Sequence, residues 1–151
     1  MVKKTITYTD FDGREVTKDF YFNLNKTEFR TLDRKTPGGL ERWIDQIRSE
    51  NDIDSLVDLL DVLILESYGE RAEDGRFVKE DPYGRRLSSY FKVSDAWDVM
   101  FTELSQDPDM LQSFLTGIVP KEAVEAMNKA VAEEEAKLTP ADSNVKPLPT
   151  K

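Results

Sequence analysis

Thr5-Ile6-Thr7-Tyr8-Thr9-Asp10-Phe11-Asp12-Gly13-Arg14-Glu15-Val16-Thr17-Lys18-Asp19-Phe20-Tyr21-Phe22 separates a mixed fold from an all-helical one. Its two arms are rich in β-branched and aromatic residues, which fit a pleated, half-buried surface. Phe11-Asp12-Gly13-Arg14 is the turn between them, and Asp-Gly flanked by alternating apolar residues is the strongest short hairpin signal. The alternation has period two. Ile6, Tyr8, Val16, Phe20, Phe22 and Leu24 share one face, while Thr5, Thr7, Thr9, Thr17 and Asp19 share the other, toward water. A lone two-stranded hairpin is marginal in water. The aromatic face of residues 5–24 must therefore dock on helices or on another chain.

Outward from the hairpin the chain reads as helical. Asn25-Lys26-Thr27-Glu28 is a capping-box start, and the short helix after it carries Phe29 and Leu32. Thr36-Pro37-Gly38-Gly39 interrupts the chain. Leu40, Trp43, Ile44 and Ile47, at i, i+3, i+4 and i+7, predict a helix over 40–50. From Asp54 to Tyr68 the sequence is apolar on most of a helical circumference, which marks a central core helix closed by Gly69. Residues 69–84, with Gly69, Gly75, Pro82 and Gly84 among many charges, read as a long connection with room for short pairing at Phe77-Val78. A helix over 93–105 places Trp97, Met100, Phe101 and Leu104 together. Asp107-Pro108 opens another through 118, with Asp as cap and Pro at the first helical position. After Pro120 the apolar stripe thins. The expectation is a weak helix over 121–137, then a proline-rich disordered tail over 138–151. The expected fold class is α+β, mainly α: an N-terminal β-hairpin packed on a small helical bundle within residues 5–120.

Composition narrows the chemistry. The chain has 151 residues, Lys+Arg 21 against Asp+Glu 30, and a formal net charge of −9. A chain of this length buries about 68–70% of the surface its unfolded form exposes, so a core forms without staples. It has no Cys and no His. That excludes a disulfide framework, thiolate or Ser-His-Asp nucleophiles, and Cys- or His-ligated zinc. No enzyme activity, metal or cofactor is expected. Met1-Val2-Lys3-Lys4-Thr5 lacks the apolar stretch of a secretory signal, and no run approaches the ~20 apolar residues of a membrane span. The expected setting is a cytosol, with no membrane partner. The acidic balance argues against nucleic acid as a partner, because phosphate neutralisation needs clustered Lys and Arg.

The remaining motifs read as structure. Asp10, Asp12 and Gly13 fail as a calcium loop, because Glu15 and Tyr21 occupy the slots for the turn glycine and the bidentate Glu. Asp54, Asp58 and Asp61 share one helical face with nothing to complete a cation site. Gly38-Gly39 lacks the Lys-Ser/Thr of a phosphate loop. From Gly39 to Asp81 there are 13 acidic and 5 basic residues, a net of −8. This is either a solvated face or an acidic surface that meets a basic partner or imitates phosphate. The broad stripes of helices 93–105 and 107–118 read first as core. A short hairpin on thin helices also leaves a groove, and such a groove takes an amphipathic partner helix.

Several short blocks, in order, resemble one family. Thr5-Ile6-Thr7-Tyr8-Thr9-Asp10-Phe11-Asp12-Gly13 followed by Asp19-Phe20-Tyr21-Phe22-Asn23-Leu24 is similar to the opening of the tail assembly chaperones of long-tailed bacteriophages infecting Gram-positive bacteria. Gly38-Gly39-Leu40 with Trp43-Ile44 resembles their second helix. Leu63-Ile64-Leu65-Glu66-Ser67-Tyr68-Gly69-Glu70 and Asp74-Gly75-Arg76-Phe77 resemble their central helix and the segment after it. Phe101-Thr102-Glu103-Leu104 and Phe114-Leu115-Thr116-Gly117-Ile118-Val119-Pro120 resemble their closing pair. The resemblance implies a protein that binds the helical tape measure protein in the host cytoplasm. It would keep that client soluble until tail tube subunits polymerise around it, and be absent from the mature virion. The family has no catalytic motif to carry over. The expected client contact is the stripe Phe101, Leu104, Phe114, Leu115 and Ile118, with the hairpin edge second. The tail tube protein and a second copy of the chain are further partners to consider. Two other readings stay open: an acidic DNA mimic that inhibits a host protein, and a structural tail or head-tail joining subunit.

Overall fold

The hairpin forms as its alternation predicts. In the computed structural model, which describes residues 1–125, β1 (Val2–Thr9) and β2 (Glu15–Phe22) pair antiparallel in unbroken register from Val2↔Phe22 to Thr9↔Glu15. Ile6, Phe22 and Leu24 are buried and Tyr8, Val16 and Phe20 half-buried, whereas the threonine face is exposed. On that outer face Thr5 Oγ1 donates to Asp19 Oδ1 (2.6 Å), and the Thr7 and Thr17 hydroxyls lie 2.8 Å apart.

Six helices and two more strands complete the unit Met1–Pro120. They are α1 (Lys26–Lys35), α2 (Leu40–Glu50), α3 (Ile53–Ser67), β3 (Tyr68–Arg71), β4 (Phe77–Val78), α4 (Leu87–Lys92), α5 (Asp95–Gln106) and α6 (Pro108–Ile118). The fold is α+β. The sheet is larger than the expected hairpin: four strands in the order β1-β2-β3-β4, all antiparallel. The stretch 69–84 is therefore sheet and tight turns, where the sequence reads as a long connection; the short pairing expected at Phe77-Val78 does form, as β4. Short α4 is a second addition to the expected elements. Lys121–Lys151 forms a separate unit that begins with helical residues 121–125. The rest of the expected 121–137 helix and the 138–151 tail lie outside the described residues.

One turn geometry recurs three times. Asp10, Ala72 and Asp81 each accept the amide of the glycine three residues on and donate to the carbonyl of the arginine four residues on. Each turn needs a left-handed residue at its fourth position, supplied by Gly13 (φ +79°), Gly75 (φ +89°) and Gly84 (φ +80°). Asp10 and Asp81 reinforce the turn by accepting two further amides on one carboxylate oxygen. The second and third of these turns fold the charged, glycine-rich stretch 69–86 back on itself.

The C-terminus of α3 illustrates how the unit closes. A helix leaves its last four carbonyls without intrahelical partners. Here Ile64 O accepts the amide of Tyr68, and the Ser67 hydroxyl donates to Leu63 O (2.6 Å) and Ile64 O (3.2 Å). Leu65 O accepts Arg86 Nη2 (3.2 Å), Glu66 O accepts Lys79 Nζ (2.9 Å), and Ser67 O accepts the amide of Asn23 (2.8 Å). The two cations also oppose the negative end of the helix dipole. α3 has no Lys or Arg of its own, so both come from elsewhere in the chain.

The core lies between the inner sheet face and α3–α6. Phe22, Leu60, Ile64, Met100 and Ile118 are completely enclosed. Tyr68 stacks on Phe91 (centroids 4.5 Å, 7° between planes), and Phe22 meets both Phe91 (5.8 Å) and Phe114 (5.4 Å) edge-on. Burial and the nearby Glu70 charge push the Tyr68 phenol up.

Candidate functional site

Four helices meet around an open apolar groove of about 320 Å³. α2, α3 and α6 each contribute a flank set by helical spacing, and α5 contributes Leu104 and Ser105. Ile44 and Ile47 sit at i, i+3 on α2, one turn above the buried anchor Leu40. Leu56 and Leu59 repeat that spacing on α3. Leu111 and Leu115 sit at i, i+4 on α6, while Phe114 and Ile118 on its adjoining flank enter the core. Buried Leu59 and Leu104 form the floor. Ile44, Ile47, Leu56, Leu111 and Leu115 are half-buried walls, and Asn51, Ser105, Pro108 and Gln112 make an exposed rim. Ile53, 67% exposed, and Val57, 38% exposed, add apolar surface on the first turns of α3.

The surroundings are acidic. Asp52 caps α3 and Asp107 caps α6, directly beside rim residues Asn51 and Pro108. The Ser55 hydroxyl, then its amide, hold the Asp52 carboxyl below the usual carboxylate range, so the cap is an anion at neutral pH. Asp45, Asp54 and Asp58 are exposed, whereas Asp61 pairs with Lys92 (2.9 Å). Of the band Asp45, Asp52, Asp54, Asp58 and Asp61 that phosphate mimicry would use, Asp61 is ion-paired, while the capping Asp52 keeps its charge. No group of three or more Asp or Glu among the described residues is arranged to hold a metal ion, and none of the described helices is long and apolar enough to cross a membrane.

The expected contact stripe divides. Leu104 (1% exposed), Phe114 (2%) and Ile118 (0%) belong to the core. Of these, only Leu104 reaches the groove, as floor. Leu115 stands in the groove wall. Phe101 is half-buried, does not line the groove and packs on Trp97 (centroids 5.7 Å). Ile44, Ile47, Leu56 and Leu111 complete the walls. Leu56 and Leu111 belong to the broad apolar circumferences of 54–68 and 107–118, whereas Ile44 and Ile47 carry no separate signal, because Leu40, Trp43, Ile44 and Ile47 make an ordinary core-facing stripe.

An apolar trough among helices, in an acidic α+β unit without His or Cys, has the make-up of a protein-binding module. A family model described as phage tail assembly chaperone matches residues 1–150, and the chain belongs to that family. No curated protein and no solved structure matches it.

Proposed function

We propose that this chain binds the phage tape measure protein in the host cytoplasm. It keeps that client soluble until tail tube subunits polymerise around it, and it is left out of the finished virion. The observation that carries this reading is the open apolar groove between α2, α3, α5 and α6 in a member of the tail assembly chaperone family. Isoleucine and leucine walls at helical spacing accept an amphipathic helix through anchors at i, i+3, i+4 and i+7. Each leucine-sized anchor withdrawn from water contributes about 1.5–3 kcal/mol before the cost of association is subtracted. A few such anchors hold a helix reversibly, which suits a client that must be surrendered. The tail tube protein is the second proposed partner, as the competitor that takes the client over. Net charge of −9 keeps the loaded complex soluble. The work requires no covalent step and no cofactor.

Co-expression of the full chain with a tape measure protein tests the reading. The client should stay in the soluble fraction with wild type and pellet with Leu111→Asp or Leu115→Asp, both of which should retain native circular dichroism. An equally insoluble client with wild-type protein overturns it, and detection of the chain in purified virions removes the assembly-only role.

A further inference from the structure

The charge around the groove specifies the kind of helix it accepts. α3, α5 and α6 contain eight Asp or Glu and no Lys or Arg. Over Leu40–Ser67 and Asp95–Ile118, which hold all four groove helices, the count is 13 acidic against 2 basic. That is a net of −11, more negative than the whole chain's −9. Three of these carboxylates are neutralised from outside: Glu103 by Lys4 (3.2 Å), Glu66 by Arg86 (3.5 Å) and Asp61 by Lys92 (2.9 Å). Asp54, Asp58 and Asp98 have no ion-pair partner among the described residues. Asp52 and Asp107 adjoin the rim residues Asn51 and Pro108. A helix with acidic flanks would be repelled there. Lysine and arginine instead lay their apolar stems along the walls and direct their charges to the carboxylates.

We infer that the groove selects amphipathic helices whose apolar stripe is bordered by lysine and arginine. The inference rests on the chaperone reading for the existence of a helical client, and adds the client's charge. Its test uses two synthetic helical peptides with the same leucine stripe at i, i+3, i+4 and i+7, one flanked by Lys and the other by Glu, titrated against the full chain by fluorescence anisotropy. At low salt the Lys peptide should bind about tenfold tighter, the equivalent of two or three exposed ion pairs. The gap should collapse near 1 M salt, where the Debye length is about 3 Å. Gln112→Lys, a change at an exposed rim position that leaves the core intact, should narrow the gap at low salt.

Equal affinity, or preference for the Glu peptide, overturns the inference. It leaves the chaperone reading standing if wild type still solubilises the full client. Failure of both peptides to bind also overturns it. If sedimentation then shows a dimer that Leu115→Asp dissociates, the groove is the interface between two copies. Failure of the chaperone reading registers separately, as loss of client solubility with wild-type protein.

Discussion

At the scale of single residues, Lys79 is the most connected side chain in the unit. Its Nζ donates to Asn23 O (2.7 Å), Glu28 Oε2 (2.7 Å) and Glu66 O (2.9 Å) and lies 5.8 Å from the centroid of the Phe77 ring. It ties the β2–α1 link, α1, α3 and β4 at one atom. Lys79→Met leaves three acceptors unsatisfied at a site where the lysine side chain is only 13% exposed. The expected loss is about 2–3 kcal/mol in chemical denaturation. Glu28→Gln should cost about 1–2 kcal/mol, because the carboxylate accepts both Lys79 Nζ and the Asn25 amide and glutamine keeps an acceptor for only one of them. Gly69 makes a different demand. A Cβ there would stand 2.6–2.9 Å from atoms of the Phe77 ring. Overpacking of about 1–3 kcal/mol outweighs the ~0.5–1 kcal/mol that alanine gains in a strand. Gly69→Ala should therefore destabilise, and the cost should shrink in a Phe77→Ala background. An equal cost in both backgrounds would exclude the ring as the cause. Neither role is legible in the sequence, where Lys79 is one cation among many charges and Gly69 reads as a helix stop.

Individual elements are held by caps that the sequence does announce. Asn25 Oδ1 accepts the Glu28 amide (2.8 Å) and Glu28 Oε1 accepts the Asn25 amide (3.0 Å), the reciprocal box expected from Asn25-Lys26-Thr27-Glu28. Asn25→Ala should cost about 1 kcal/mol in thermal or chemical melts. Two other carboxylates give the elements a pH dependence. Asp52 at the start of α3 is lowered by the Ser55 hydroxyl and amide. Asp81 is lowered chiefly by the Arg85 amide, with help from the Tyr90 hydroxyl and the Tyr83 amide. A folded-state pKa below the ordinary 3.8 contributes stability that is complete above 3.8 and is lost as pH falls through the lowered folded value. Melting temperature should therefore drop along that acid limb. In an Asp52→Asn/Asp81→Asn variant the limb should be flatter, and parallel limbs for the two proteins would refute the assignment. The recurring turn was also visible in part. Asp-x-x-Gly-Arg occurs at 10–14 and 81–85, and Ala72 replaces the Asp at 72–76. Only the first is flanked by long alternating arms, so only the first reads as a hairpin from periodicity.

For the molecule as a whole, burial decides which substitutions probe function and which probe folding. Phe114 is 2% exposed and meets Phe22 at 5.4 Å. Phe114→Asp buries an unpaired charge and should unfold the unit, with a loss above about 4 kcal/mol. Any loss of client handling in that variant would report on the fold. Leu115, one residue on, stands in the groove wall, so Leu115→Asp should keep the cooperative melt while losing the client. Melting curves for the pair, read beside the co-expression result, separate the two causes. A cooperative melt for Phe114→Asp would mean that this edge of the core is softer than its packing implies.

Local patterns carried the hairpin, the caps and the extents of α2, α3 and α6, because turn chemistry, capping and periodicity act between residues a few positions apart. The acidic, cysteine- and histidine-free composition likewise narrowed the chemistry before any fold was known. Long-range packing chose the rest. β3 became a strand because β2 offered it an edge and β4 because β3 did, and Lys79 and Arg86 became the C-terminal partners of α3 because two tight turns returned them to it. On α6, contact with Phe22 drew Phe114 into the core, while Leu115 beside it was left in the groove. A helical stripe records which residues are apolar, but which of them face a neighbour and which face open space depends on where the other helices come to rest.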